Sequence, residues 1–171
     1  MASLKKSNFY YGTVLDKVTN APGKALSLLE KAAEDSGRVY RLTTESNKDG
    51  YIIFAKYRSD PAPTKGKDGS CRWAFQFTDA EMGRLEELCQ QTGSLKLALV
   101  CAKGQTLTDS ELALIDYEQA LECLGTGFAN PTINVFQVPG KMLRMYGTAR
   151  EEKLNGKDNC IKVDRDAASK L

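Results

Sequence analysis

Between positions 56 and 72 lie five cations, Lys56, Arg58, Lys65, Lys67 and Arg72, against Asp60 and Asp68. Cationic side chains on a polar loop neutralise phosphates, and aromatic rings such as Tyr57 and Trp73 offer faces on which bases stack. That is one reading of "KYRSDPAPTKGKDGSCRW". The other is a solvated connection, kept polar because loops face water.

Other chemistry is narrower. The chain has no histidine, so Ser-His-Asp and Cys-His machinery and the imidazole proton shuttle are excluded. The five cysteines, Cys71, Cys89, Cys101, Cys123 and Cys160, form no C-x-x-C pair. No metal site and no cofactor is therefore expected. Cys71, beside Arg72 at the end of the polar loop, is the best placed for a lowered thiol pKa. Cys89, Cys101 and Cys123 sit among apolar neighbours and read as small hydrophobes.

Phosphate-loop spacing is absent, and Gly125-Thr126-Gly127 follows a helical pattern where a dinucleotide turn needs a strand. Glu30 and Glu34, Glu86 and Glu87, and the group Asp116, Tyr117, Glu118 and Glu122 are acidic clusters of the kind that rim pockets. Solvated helix faces carry the same clusters.

These residues need elements to hold them. "NFYYGTVL" (8–15) is aromatic and β-branched and predicts a strand. Pro22, the Leu26, Leu29 and Ala33 spacing, and Gly37 predict a helix over 20–37. "RVYRLTTES" alternates, Asp49-Gly50 signals a hairpin turn, and "YIIFAKYRS" returns. Pro61 and Pro63 bar strand pairing in the polar loop. "CRWAFQFT" follows, with Trp73, Phe75 and Phe77 on one face.

Thr78-x-x-Glu81 is a capping box opening a helix that Gly93 closes. "LKLALVCA" is the near-continuous apolar run of a central strand. Residues 109–124 form either one helix or a strand "ELALI" followed by a helix capped by Asp116 and Gln119; the second is preferred. Pro139-Gly140 makes residues 132–147 a hairpin with a type II turn.

The order helix, three-strand meander, helix, strand over residues 22–102 is similar to the core of restriction-endonuclease-like domains. That resemblance implies an acidic residue at a hairpin strand and an acidic-x-Lys triplet holding a metal. Glu30 and Asp49 are the only residues here for such a degenerate site. The triplet itself is missing, because Phe54 stands two places before Lys56. Layout alone does not carry an activity.

At 171 residues and net charge +2, the chain reads as one domain over 1–147 with a polar, partly mobile tail over 148–171. The predicted class is α+β: a mixed, mainly antiparallel sheet in a single layer, with two or three packed helices. No run is long enough to span a bilayer. Unpaired cysteines suggest a cytoplasmic location; the terminal Ser169-Lys170-Leu171 resembles a peroxisomal address.

The expected function is a non-catalytic interaction or accessory module, pairing with a protein or with itself through the 132–147 hairpin. The alternative is a nucleic-acid-binding domain of nuclease-like layout without the full catalytic set.

Overall fold

The structure, a computed structural model, describes residues 6–20, 22–31, 37–62, 69–104 and 106–171. It opens with helix α1 (Lys6–Thr19) where a strand was predicted. Tyr10, Val14 and Val18 recur every four residues, with Tyr11 alongside, and this stripe is almost wholly removed from water. Burial along a 3.6-residue period outweighs the strand preference of aromatic and β-branched residues.

The helix predicted over 20–37 is overturned in the same way. Ala25–Lys31 form strand β1, antiparallel to β2 (Arg38–Thr43). Pro22 sits in a turn with Gly23, whose φ of +80° suits glycine. Residues 32–36 of that expectation lie outside the described residues.

The other expected elements hold. β3 (Tyr51–Arg58) returns along β2. β4 (Cys71–Gln76) precedes α2 (Asp79–Thr92), which Thr78 and Glu81 cap reciprocally and Gly93 closes in a left-handed conformation. β5 (Leu95–Lys103) and β6 (Thr106–Asp116) follow. Then comes α3 (Tyr117–Leu124), where Gln119 Oε1 accepts the Asp116 N–H at 3.2 Å. The strand-then-helix reading of 109–124 is the observed one.

β7 (Thr132–Gln137) and β8 (Leu143–Gly147) form the hairpin. Beyond it β9 (Lys153–Leu154) pairs with β10 (Lys157–Asp158), and β11 (Ile161–Val163) pairs with β8.

The chain is an α+β fold with three helices among the described residues. The first sheet runs β1-β2-β3-β5-β6, mixed and mainly antiparallel, with β3 and β5 its parallel pair. The expected single layer is two sheets. β4 leaves the meander and founds a second, antiparallel sheet ordered β11-β8-β7-β4. The meander is β1-β2-β3, one element earlier than the sequence suggested.

Trp73, Phe75 and Phe77 face Phe54, Leu97 and Leu99 between the two sheets, with Leu85 of α2 and Cys123 of α3 completing that core. Trp73 also donates from Nε1 to the Ala102 carbonyl at 2.8 Å, joining the sheets through a buried hydrogen bond. α1 covers the opposite face of the first sheet, over Ile53, Ala98 and Val100, with Ala168 of a C-terminal 3-10 turn (Ala167–Lys170) beside it. This layering leaves one face of the second sheet pointing away from the shared core.

Candidate functional site: the outer face of the second sheet

Of the cations that opened the sequence reading, Lys56 is occupied. Its ammonium donates to both Glu81 carboxylate oxygens, at 2.8 and 2.9 Å, and lies 4.9 Å from the Phe77 ring centre. The two side chains are 12% and 8% exposed, so Lys56 holds α2 to β3 and has little surface left for a ligand. Arg58 ends β3 and is exposed. Lys65 and Lys67 lie outside the described residues.

Arg72 does reach a surface. It alternates with the inward Trp73 on β4 and points away from the core, its Nη1 at 3.5 Å from the Tyr146 hydroxyl. Phe54 of the would-be metal triplet is a core residue, 2% exposed.

The residues offered for a degenerate metal site are not brought together. The Glu30 backbone lies opposite Val39, three residues along β2 from Leu42. Asp49 is exposed in the turn beyond the Leu42–Tyr51 pair. The ladder therefore separates the two backbone positions by at least about 10 Å. Among the described residues no group of three or more His, Cys, Asp or Glu side chains converges as a metal site would require.

Three of the thiols are quiet. Burial, and then the Glu111 charge, pushes the Cys101 thiol well up. Burial pushes Cys123 up to about 12. Burial and a hydrogen bond with Asp158 do the same for Cys160, to about 12. A thiol held protonated is a poor nucleophile and ligand. Cys71 is half-buried at the start of β4.

The acidic groups of the α3 region are engaged at its surface: Asp116 with Lys96 at 2.6 Å and Glu122 with Arg150 at 2.8 Å. Glu87 pairs with Arg84 at 3.1 Å, and Glu34 lies outside the described residues. In the terminal tripeptide, the Ser169 hydroxyl donates to the Asp166 carbonyl and Lys170 pairs with Asp164.

The site that emerges was not visible in the sequence. In the second sheet Arg72 pairs with Phe136, Phe136 with Arg144, and Arg144 with Lys162. Directly paired residues share a face, so one row across four strands carries three cations and an aromatic ring on the side turned from the core. At about 4.8 Å per strand the row spans about 14 Å. The next row is Ala74, Asn134 and Tyr146. Phe136, Tyr146, Asn134, Arg72 and Arg144 are half-buried and Lys162 is exposed.

Asp158 is the acidic neighbour of this row, accepting from Arg144 Nη1 at 3.2 Å. Hydrogen bonds from Cys160, with the fields of Arg144 and Lys162 added, hold its carboxyl below the usual range. Three cations against one carboxylate leave the row cationic. Arg72 Nε is shielded from solvent and has no hydrogen-bond partner among the described residues.

The hairpin expected to serve as a pairing edge is internal. β8 is flanked by β7 and β11, and β7 by β8 and β4. Its ladder groups are used within the sheet, and alternate side chains of the hairpin, Asn134, Phe136, Arg144 and Tyr146 among them, face away from the core. The Pro139-Gly140 turn did not reveal the row: a two-residue loop closed between Val138 and Lys141 would set Phe136 against Leu143, and the observed Phe136–Arg144 pair carries one extra residue on the β8 side. No register argument from sequence could have added Arg72 and Lys162.

Among the described residues no helix is long and apolar enough to cross a membrane. No protein-family model matches the sequence, and no curated protein and no solved structure matches it significantly.

Proposed function

We propose that this protein is a non-catalytic binding module and that its ligand is nucleic acid, taken up on the outer face of the second sheet. The observation that carries the reading is the cross-strand row Arg72, Phe136, Arg144 and Lys162. Lysine and arginine on a surface release counterions from a phosphate backbone, which is the main sequence-independent source of affinity. The net charge of +2 is small, so the attraction is local to this face. The part first offered to the loop thus passes to the sheet, with Arg72 common to both. The five free thiols support a reducing, cytoplasmic setting for this activity.

The test is fluorescence anisotropy with short labelled oligonucleotides at about 50 mM salt. Wild-type protein binds, and the triple variant Arg72→Gln, Arg144→Gln, Lys162→Gln loses that binding while its circular dichroism is unchanged. Absence of wild-type binding retires the proposal.

A second reading, a protein partner, is favoured by β1 at the margin of the first sheet. A register shift between Leu28 and Glu30 lets two consecutive leucines, Leu28 and Leu29, stand 47% and 50% exposed. Exposed apolar residues on a marginal strand invite pairing with another chain. Sedimentation of the wild type against Leu28→Lys, Leu29→Lys tests it: association that persists in the variant removes β1 from consideration.

A further inference from the structure

The proposed ligand has two broad forms, and the arrangement of rings on the sheet favours one of them. We infer that the outer face of the second sheet is a stacking platform for single-stranded nucleic acid, with Phe136 and Tyr146 receiving unpaired bases and Arg72, Arg144 and Lys162 holding the backbone. The inference rests on the nucleic-acid reading and adds the form of the ligand and the residues that select it.

Phe136 and Tyr146 lie on adjacent antiparallel strands, one row apart, since Phe136 pairs with Arg144 and Asn134 with Tyr146. Diagonal neighbours of this kind are about 7 Å apart. Both rings are half-buried, with part of their surface reaching solvent. The other aromatics of β4, Trp73 and Phe75, are buried in the core and unavailable.

Small and neutral side chains border the rings. Ala74 stands beyond Asn134 in the Tyr146 row, and Gln76 and Thr132 form the row after that. By the alternation of the pleat Asn134 stands on the same outer face as the two rings.

The cations flank the rings. In its row Phe136 stands between Arg72 and Arg144. The Arg72 guanidinium crosses β7 to within 3.5 Å of the Tyr146 hydroxyl, so it lies beside the second ring as well. Charge beside an aromatic face is the combination by which single strands are held, because every base offers a π-face and every linkage a phosphate. A duplex keeps its bases stacked on one another and presents only its phosphates, so it gains nothing from Phe136 or Tyr146. An acidic polypeptide likewise meets only the cations.

The experiment compares a labelled single-stranded oligonucleotide of about ten mixed bases, as RNA and as DNA, with the corresponding duplex and with polyglutamate as competitor. Each is titrated against wild type, Phe136→Ala, Phe136→Leu, Tyr146→Ala and, as a control, Phe9→Ala. Phe9 is exposed but lies on α1, away from the second sheet.

The expected result is tighter binding of the single strand than of the duplex, and a loss of about 5- to 100-fold in each Phe136 and Tyr146 variant. The slope of log affinity against log salt stays at its wild-type value in these variants, because stacking releases no counterions. Phe9→Ala binds as wild type. Phe136→Leu keeps an apolar contact with its neighbours, so its loss of affinity reports the ring and not the fold; thermal unfolding of each variant checks this.

Equal affinity for duplex, effective competition by polyglutamate, or wild-type affinity in the ring variants overturns the stacking inference while leaving the nucleic-acid reading standing. Absence of any oligonucleotide binding overturns both.

Discussion

The Lys56 ammonium bridges both carboxylate oxygens of Glu81, at 2.8 and 2.9 Å, and so joins the central strand β3 to the first turn of α2. Glu81 has a second duty, since its Oε2 accepts the Thr78 N–H that the start of the helix would otherwise leave without a partner. One carboxylate thereby closes a helix cap and neutralises a strand lysine, in a setting nearly shut off from water.

Removing one partner of such a pair strands the other. Lys56→Met is expected to destabilise the fold by about 3 kcal/mol, read from the urea midpoint. Adding Glu81→Gln to that variant removes the stranded charge and retains a side chain that can cap, so the double variant regains part of the loss. A double variant as unstable as the single one, or more so, shows that the pair is not the tie described.

Gly147 is a steric requirement. A Cβ there would stand 2.7 Å from the Cys123 carbonyl oxygen and closer still to that of Thr132. Gly147→Ala is expected to cost about 2 kcal/mol or more by forcing β8 away from β7 and α3. Gly127, with nothing within 4 Å of such a Cβ but a φ of +81°, is the comparison: Gly127→Ala costs only backbone strain, about 1 kcal/mol. Equal losses in the two variants would mean that packing at Gly147 is not the cause.

Burial raises the Cys123 thiol from about 9 to about 12. The folded state therefore favours the protonated form. Its contribution to stability is complete below the unfolded thiol value and disappears as pH climbs from about 9 towards 12. Urea unfolding under reducing conditions should show stability falling along that alkaline limb, and Cys123→Ala, which has no proton to lose, should make it shallower, with Cys160 and Cys101 supplying the remainder. A limb of unchanged steepness in the variant assigns the loss to other groups.

Much of the local structure was legible because caps and turns are local chemistry. Thr78, Glu81 and Gly93 bounded α2, and Asp116 with Gln119 divided a strand from a helix. The two errors at the N-terminal end have one cause. In α1 the ring-rich composition suggested a strand although Tyr10, Val14 and Val18 carried the helical period. In β1 the leucine spacing suggested a helix although the segment gains its ladder only by meeting β2. Propensity is a weak prior beside what a segment finds to pack against.

The second sheet was hidden for a different reason. Alternation in "CRWAFQ" says which face is buried and not which strand lies alongside. The departure of β4 to pair with β7, about sixty residues later, could not be read from it. The candidate site depends on that departure, since it brings Arg72 into line with Phe136, Arg144 and Lys162.

The salt dependence of oligonucleotide binding tests the central claim most directly. Three cations engaging phosphates of a single strand give a slope of log affinity against log salt of about −2, and each of Arg72→Gln, Arg144→Gln and Lys162→Gln reduces its magnitude by about 0.7. A flat dependence, or a slope untouched by all three replacements, would contradict the assignment of this face.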